Sequence, residues 1–207
     1  MVFDGNEAFT DDELSADFNV KTWKFYSLAT SWFDKTGTYS EPIFMRDLRE
    51  VEKRYTDAGY LQVEVGEPDV KADEGGLHVS VEVIEGPQFN VGEIDVVGDE
   101  TVDLDALRSQ LRLAEDATFN RSHLTADVEG LERYYTDRGF YFAKVEPRTR
   151  LDNKTKKVDV QFYVEKGPLY FVRHVEIAGN TRTVDPVVRR EMRIVEGQLY
   201  SARAIQI

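Results

Sequence analysis

Asp57 and Asp137 occupy the same place in nearly the same words, "RYTDAGY" from Arg54 and "YYTDRGF" from Tyr134. A carboxylate that recurs beside a hydroxyl could act as a general base or, joined by histidine, as a metal ligand. The surroundings argue for a plainer role. Each Asp stands two residues before a Gly suited to close a helix, in a turn where Asp and Thr side chains bond to nearby backbone. His78, His123 and His174 fall at three different places on the repeat, so they assemble no ligand set. "DDE" at 11–13 reads as a helix start and "DE" at 73–74 as a hairpin turn. No P-loop, no G-x-G-x-x-G and no Ser-His-Asp spacing is present. The sequence therefore assigns no catalytic, cofactor-binding or metal-binding residue and reads as a non-enzyme without a cofactor or small-molecule substrate.

Composition narrows the remaining classes. With 207 residues and 41% hydrophobic side chains the chain can bury a core, and it reads as one to three small globular domains. Cysteine is absent, which removes disulfides and thiolate metal sites. No apolar run approaches the roughly 18 to 20 residues that cross a bilayer, and "VFDGNEAF" after Met1 lacks the basic-then-apolar order of a signal peptide, so that if the native protein is exported its address lies upstream. The net charge of −13 argues against nucleic acid as a partner. Acidity fades along the chain: residues 1–87 hold 19 acidic against 8 basic groups, residues 88–168 hold 16 against 12, and residues 169–207 hold 4 against 6.

The two Tyr-Thr-Asp stretches belong to a longer repeat. At an offset of 80, Phe44, Leu48, Val51 and Tyr55 match Leu124, Val128, Leu131 and Tyr135, and each set is spaced as one apolar stripe of a helix. Ser40 and Asn120 are the predicted N-caps and Gly59 and Gly139 the predicted C-terminal stops. Past each Gly the pattern alternates as a strand, Leu61 to Val65 and Tyr141 to Val145, with Pro68 and Pro147 expected to end it. A second strand follows each polar turn, Leu77, Val79, Val81 and Val83 matching Val158, Val160, Phe162 and Val164, and both copies close on Gly-Pro at 86–87 and 167–168. The opening strand recurs as "VFDGN", "FNVGEIDVVGD" and "YFVRHVEIAGN", and a short helix follows it. Thr10 and Glu13 give that helix a capping box in the first copy, and Asp185-Pro186 gives a cap with Pro at N1 in the third.

One insertion breaks the register. The first copy places residues 19–39 between its two helices where the others place 112–119 and 193–200. The extra length carries Trp23, Phe25, Tyr26, Trp32 and Phe33, which either cap the unit's own core or form an exposed docking loop.

In this form the chain resembles the POTRA domains of the BamA family of outer-membrane protein assembly factors. The "GNEAFTDDEL" opening, the Trp-bearing loop and "RYTDAGY" resemble the third such domain, and "RREMR" with "EGQLYS" resembles the start of the fifth. The resemblance implies an α+β fold of tandem POTRA repeats, each strand-helix-helix-strand-strand with a three-stranded mixed sheet covered by two helices. It divides the chain into residues 1–87, 88–168 and an incomplete unit at 169–207. It also implies a periplasmic location, a C-terminal β-barrel partner, unfolded outer-membrane protein precursors as clients, and accessory lipoproteins docking on the string. A barrel-linked transporter of the TamA or two-partner secretion type, or a passive spacer, is the alternative.

The strand order of such a unit leaves the middle strand at a sheet edge. Leu61, Gln62, Val63, Glu64 and Val65 are therefore the expected protein-binding edge, where an incoming extended segment adds by main-chain hydrogen bonds. Arg182, Arg189, Arg190 and Arg193 form the other candidate surface, either a solvated face or a contact with a barrel, a lipoprotein or anionic headgroups, with Arg189 and Arg193 expected on one helix face. The incomplete third unit is expected to leave its faces uncovered.

Overall fold

A computed structural model describes residues 1–16, 18, 41–73, 76–99, 107–179 and 182–205. They form two compact units, one of Met1–Asn90 with Asp116–Arg121 and Asn153–Lys157, the other of Val91–Glu115 with Ser122–Asp152 and Val158–Ile207.

The first unit contains β1 (Val2–Asp4), α1 (Asp11–Ser15), α2 (Glu41–Asp57), β2 (Glu64–Val65), β3 (Asp69–Asp73) and β4 (Gly76–Ile84). The predicted stripe of α2 is its buried face: Phe44, Leu48, Val51 and Tyr55 pack with Phe3, Leu14, Phe18, Val81 and Val83 into one core. Each such side chain contributes about 1.5–3 kcal/mol through burial. Edge-to-face ring contacts connect the layers, Phe3 to Phe18 at 6.2 Å and Phe18 to Phe44 at 5.9 Å between centroids. β4 is the middle strand, with β1 parallel on one side and β2 and β3 antiparallel on the other.

The predicted capping box at the start of α1 is formed. Glu13 N–H donates to Thr10 Oγ1 at 3.3 Å, and Thr10 N–H donates back to Glu13 Oε2 at 2.8 Å. The Thr10 backbone and hydroxyl donors hold the Glu13 carboxyl below its ordinary pKa. Ser40, the predicted cap of α2, lies outside the described residues.

The second unit contains most of β5 (Asn90–Val97), then α3 (Arg121–Thr136), β6 (Lys144–Asp152), β7 (Lys157–Glu165), α4 (Asp185–Glu191) and α5 (Ala202–Ile205). Its sheet runs β5-β7-β6, so the last strand of the copy is again central. Val158, Val160, Phe162 and Val164 all point inward and are buried. The stripe of α3 is buried only in its second half, at Leu131 and Tyr135, while Leu124 and Val128 are half-buried.

Two features differ from the sequence-based expectation. Asp185 is not the cap of α4: Val184 takes that place without a side-chain bond, because the Asp185 carboxylate is engaged by Arg189 Nε at 3.1 Å one turn on. Pro147 does not end its strand, and Pro68 follows the end of β2 without ending the pairing to β4. Pairing resumes at Asp69 after Pro68, and β6 runs through Pro147. Partners add to 148 across β2 (Glu64 with Ile84) and to 149 across β3 (Asp69 with Ser80). One extra residue is thus inserted beside Pro68, and this bulge is a place where a residue lacking N–H is tolerated.

Among the residues from 169 to 204 whose burial is described none is buried, and the opening strand of the third copy is reduced to one bridge between Phe171 and Leu199. Its apolar residues are open, Phe171 at 60%.

A polar residue inside the helix stripe stands out. Asp127 is 3% exposed, and Asp47, in the same register of α2, is 1% exposed. The Asp127 carboxylate accepts from Arg112 N–H at 2.7 Å and Leu113 N–H at 3.0 Å, closing the loop before α3. Asp127→Ala is expected to lower stability by about 1–3 kcal/mol by leaving those donors unpaired, with Asp127→Asn recovering part, as read from urea unfolding. For α1 the sign follows from a depressed carboxyl: the Glu13 contribution is present at neutral pH and lost as pH falls through its folded value. The Thr10 amide shift should titrate with a midpoint below that of an ordinary glutamate.

Candidate protein-binding edges

The edges are set by how each long helix stops. Tyr60 N–H reaches back to Tyr55 O at 3.0 Å, and Phe140 N–H to Tyr135 O at 3.1 Å, around Gly59 and Gly139 with φ of +88° and +94°. Side chains are excluded at both. A Cβ on Gly59 would sit 2.8 Å from Phe89 O, and one on Gly139 would sit 2.9 Å from Leu199 Cδ2. A further turn follows each Gly, closed by Val63 N–H to Tyr60 O at 3.4 Å and Ala143 N–H to Phe140 O at 3.0 Å. These bonds hold Leu61, Gln62 and Val63 out of the sheet, so the predicted five-residue strand contains only Glu64 and Val65. Likewise β6 starts at Lys144, with Tyr141 and Phe142 in the turn and exposed.

The short strand is nonetheless an edge. Gly66 N–H donates to Glu82 O at 2.8 Å, which makes that pair the bonded one and Val65 with Val83 the non-bonded one. Val65 N–H and C=O therefore point away from β4. β3 extends the same open side to Asp73.

The carbonyl of each helix-stopping Gly is itself used, by the same pattern in each unit. Within the first, Phe89 N–H donates to Gly59 O at 2.9 Å and Phe119 N–H to Phe89 O at 3.0 Å. Within the second, Tyr170 N–H donates to Gly139 O at 2.8 Å and Tyr200 N–H to Tyr170 O at 2.9 Å. The recurring aspartates sit here too. Asp137 does not serve its own turn as expected: its Oδ1 accepts from Arg203 N–H at 2.8 Å and Ser201 Oγ at 3.4 Å, at the start of α5. In the first unit Asn120 Nδ2 donates to Asp57 O at 2.8 Å. Thr56 and Thr136 do bond locally, to Lys53 O and Arg133 O.

Behind each turn lies a buried tyrosine. Tyr55 OH donates to Glu85 Oε1 at 2.9 Å, and Ala8 N–H donates to the same oxygen at 2.8 Å. In the second unit Lys166 takes the register of Glu85 and pairs with the buried Asp99. Burial, helped by the nearby carboxylate, pushes both tyrosine hydroxyls well above their ordinary pKa.

Of the other predicted residues, Trp23, Phe25, Tyr26, Trp32 and Phe33 lie outside the described residues. The four arginines do not act alike. Arg189 ties its own segment together, through Asp185, Glu196 Oε1 at 3.3 Å and Val175 O at 2.7 Å, and those carboxylates raise its pKa. α4 ends at Glu191 and Met192 is extended, so Arg193 leaves the helix face it was expected to share. Arg182, Arg190 and Arg193 are exposed. Among the described residues no helix is long and apolar enough to cross a membrane.

Sequence reasoning missed Asp47 and Asp127, although an Asp three residues after the first apolar position of both stripes was a readable signal. It also missed the Gly–aromatic–aromatic bonding, signalled by Phe89 with Tyr170 and Phe119 with Tyr200 at an offset of 81.

Against known families, the model described as "POTRA: Surface antigen variable number repeat" matches residues 1–86 and 89–167. The chain belongs to the POTRA family. The outer membrane protein assembly factor BamA of Nitratidesulfovibrio vulgaris is 30% identical over 181 residues, covering 85% of this chain and 23% of that protein. BamA of Neisseria meningitidis serogroup B is 24% identical over 207 residues, covering 99% of this chain and 26% of its own length. The chain thus spans about a quarter of the length of the curated relatives it matches. Among solved structures, Haemophilus influenzae BamA POTRA3-5 superimposes with a TM-score of 0.69 at 23% identity, covering 99% of this chain and 80% of that one. This POTRA chain accordingly has the α+β repeat architecture read from its sequence.

The Asp137 contact generates a test. Asp137→Ala is expected to remove a helix cap worth about 0.5–2 kcal/mol, so amide exchange at residues 202–205 should accelerate while β7 stays protected. Unchanged exchange there would show that the carboxylate does not anchor α5.

Proposed function

We propose that this chain is part of the periplasmic scaffold of an outer-membrane β-barrel assembly factor, and that it receives unfolded barrel precursors by strand addition. On this reading residues 1–87, 88–168 and 169–207 are a third-like, a fourth-like and half of a fifth-like POTRA domain, carried on a C-terminal barrel and serving accessory lipoproteins. The observation that carries it is the open side of β2 and β3, where Val65 turns its N–H and C=O away from β4. Main-chain bonding of that kind accepts many side-chain sequences, which suits a receiver of varied precursors. The names of the BamA relatives, outer membrane protein assembly factors, support this cellular setting. The exposed Arg182, Arg190 and Arg193 are the candidate contacts for lipoproteins or the barrel on this reading, with the Trp23–Phe33 stretch the other sequence-based candidate.

A scaffold of this kind needs no catalytic group, and the observed titratable pairs suit structure better than chemistry. Tyr55 with Glu85, and Lys166 with Asp99, lie behind the turn and fasten it.

Strand addition is tested at Val65 instead of Gln62, whose place in the turn leaves it no ladder donor to lose. Val65→Pro removes an outward N–H without touching the bonds to β4. A peptide from an outer-membrane barrel precursor should bind about tenfold more weakly, equivalent to ~1.4 kcal/mol, by calorimetry. Full binding by a variant with the parent's thermal midpoint would refute the edge as the site.

A further inference from the structure

The second open edge, β6, is dressed differently from the first. Glu132 of α3 is half-buried and lays its carboxylate on the strand: Val145 N–H donates to Glu132 Oε1 at 3.3 Å. A side-chain acceptor on Val145 N–H marks it as a donor turned away from β7. Donors facing the same side recur at alternate residues, and the next such position is Pro147, which has no N–H to offer. Both outward donors at the start of β6 are therefore withdrawn, one by a side chain and one by a ring. Glu132 also lines a groove of about 420 Å³ with Glu129, Arg133, Thr136, Tyr141 and Ala143, between the helix and the beginning of the strand. Side chains of an added segment would have to enter that space.

The first unit has the same residue type in the same register, Glu52, 80 positions earlier. Its side chain is exposed and makes no hydrogen bond among the described residues, and among them Val65 N–H meets no side-chain acceptor. A one-for-one repeat has thus been given two states of the same edge.

The geometry points to Glu132 as a built-in occupant of the second edge, a carboxylate that stands in for an incoming backbone carbonyl and directs an extended polypeptide to the first edge instead. The inference rests on the strand-addition reading above. It makes Glu132 a specificity-determining residue: an extended segment must displace a charged acceptor to pair with β6 and need displace nothing at Val65.

Two readouts on the 207-residue chain test it. The first needs no ligand: in Glu132→Ala the Val145 amide should exchange about tenfold faster or more, whereas Glu132→Gln, which keeps an acceptor oxygen, should retain most of the protection. The second uses a synthetic peptide of alternating apolar and polar residues, followed by amide chemical shifts. In the parent chain and in Glu132→Gln the peptide should move residues 64–65 and leave 143–146 in place; in Glu132→Ala it should move both sets. Unaltered Val145 exchange in Glu132→Ala, a second edge that stays silent there while the first responds, or a second edge that already responds in the parent would each overturn the stopper role and leave strand addition standing. A silent response at both edges in every variant, with Val145 exchange accelerated, would overturn strand addition itself and the selection built on it.

Discussion

Backbone donors and acceptors must find partners, and a sheet with one central strand leaves the outer row of each edge strand short. The last strand is central in both described sheets, so its two sides are satisfied while the strand before it keeps one unmet row. Most of what distinguishes this chain is a response to that row. A bulge with Pro68 interrupts it in the first unit; Pro147 and a glutamate reduce it in the second. The helices do the opposite work, since their stripes bury the sheet's inner face and fix which side of each strand cannot move.

The chain's periodic text made the fold legible. Phe44, Leu48, Val51 and Tyr55 could be read as a buried stripe because helical spacing has one consistent geometric meaning, and Val158 to Val164 could be read as a strand for the same reason. Pairing at the edge was harder. Leu61 and Val63 alternate as strand residues do, yet the bonds of the Gly59 stop claim the next turn before pairing begins. Alternation reports which face is apolar and is blind to whether the backbone has finished turning.

The aspartates show a second limit. Asp57 and Asp137 look local because their neighbours are turn residues, but the carboxylate of Asp137 serves a hydroxyl 64 positions away and an amide 66 positions away. A side chain's nearest unpaired donor in space is decided by how the ends of two helices meet, which spacing along the chain does not encode. Arg189 follows the same logic from the other direction: what reads as surface charge is absorbed by Asp185, Glu196 and the Val175 carbonyl.

Behind the turns, the exchange of Glu85 for Lys166 carries its own consequence. Asp99 stands where the first copy has Asn6, so each copy holds a self-consistent set: a carboxylate for the Tyr55 hydroxyl in one, an ammonium for a buried carboxylate in the other. Similar tandem segments invite genetic recombination. A hybrid that set Asp99 against the Glu85 of the other copy would exchange the Lys166 ammonium for a carboxylate and put two like charges side by side, a mismatch that neither copy carries alone.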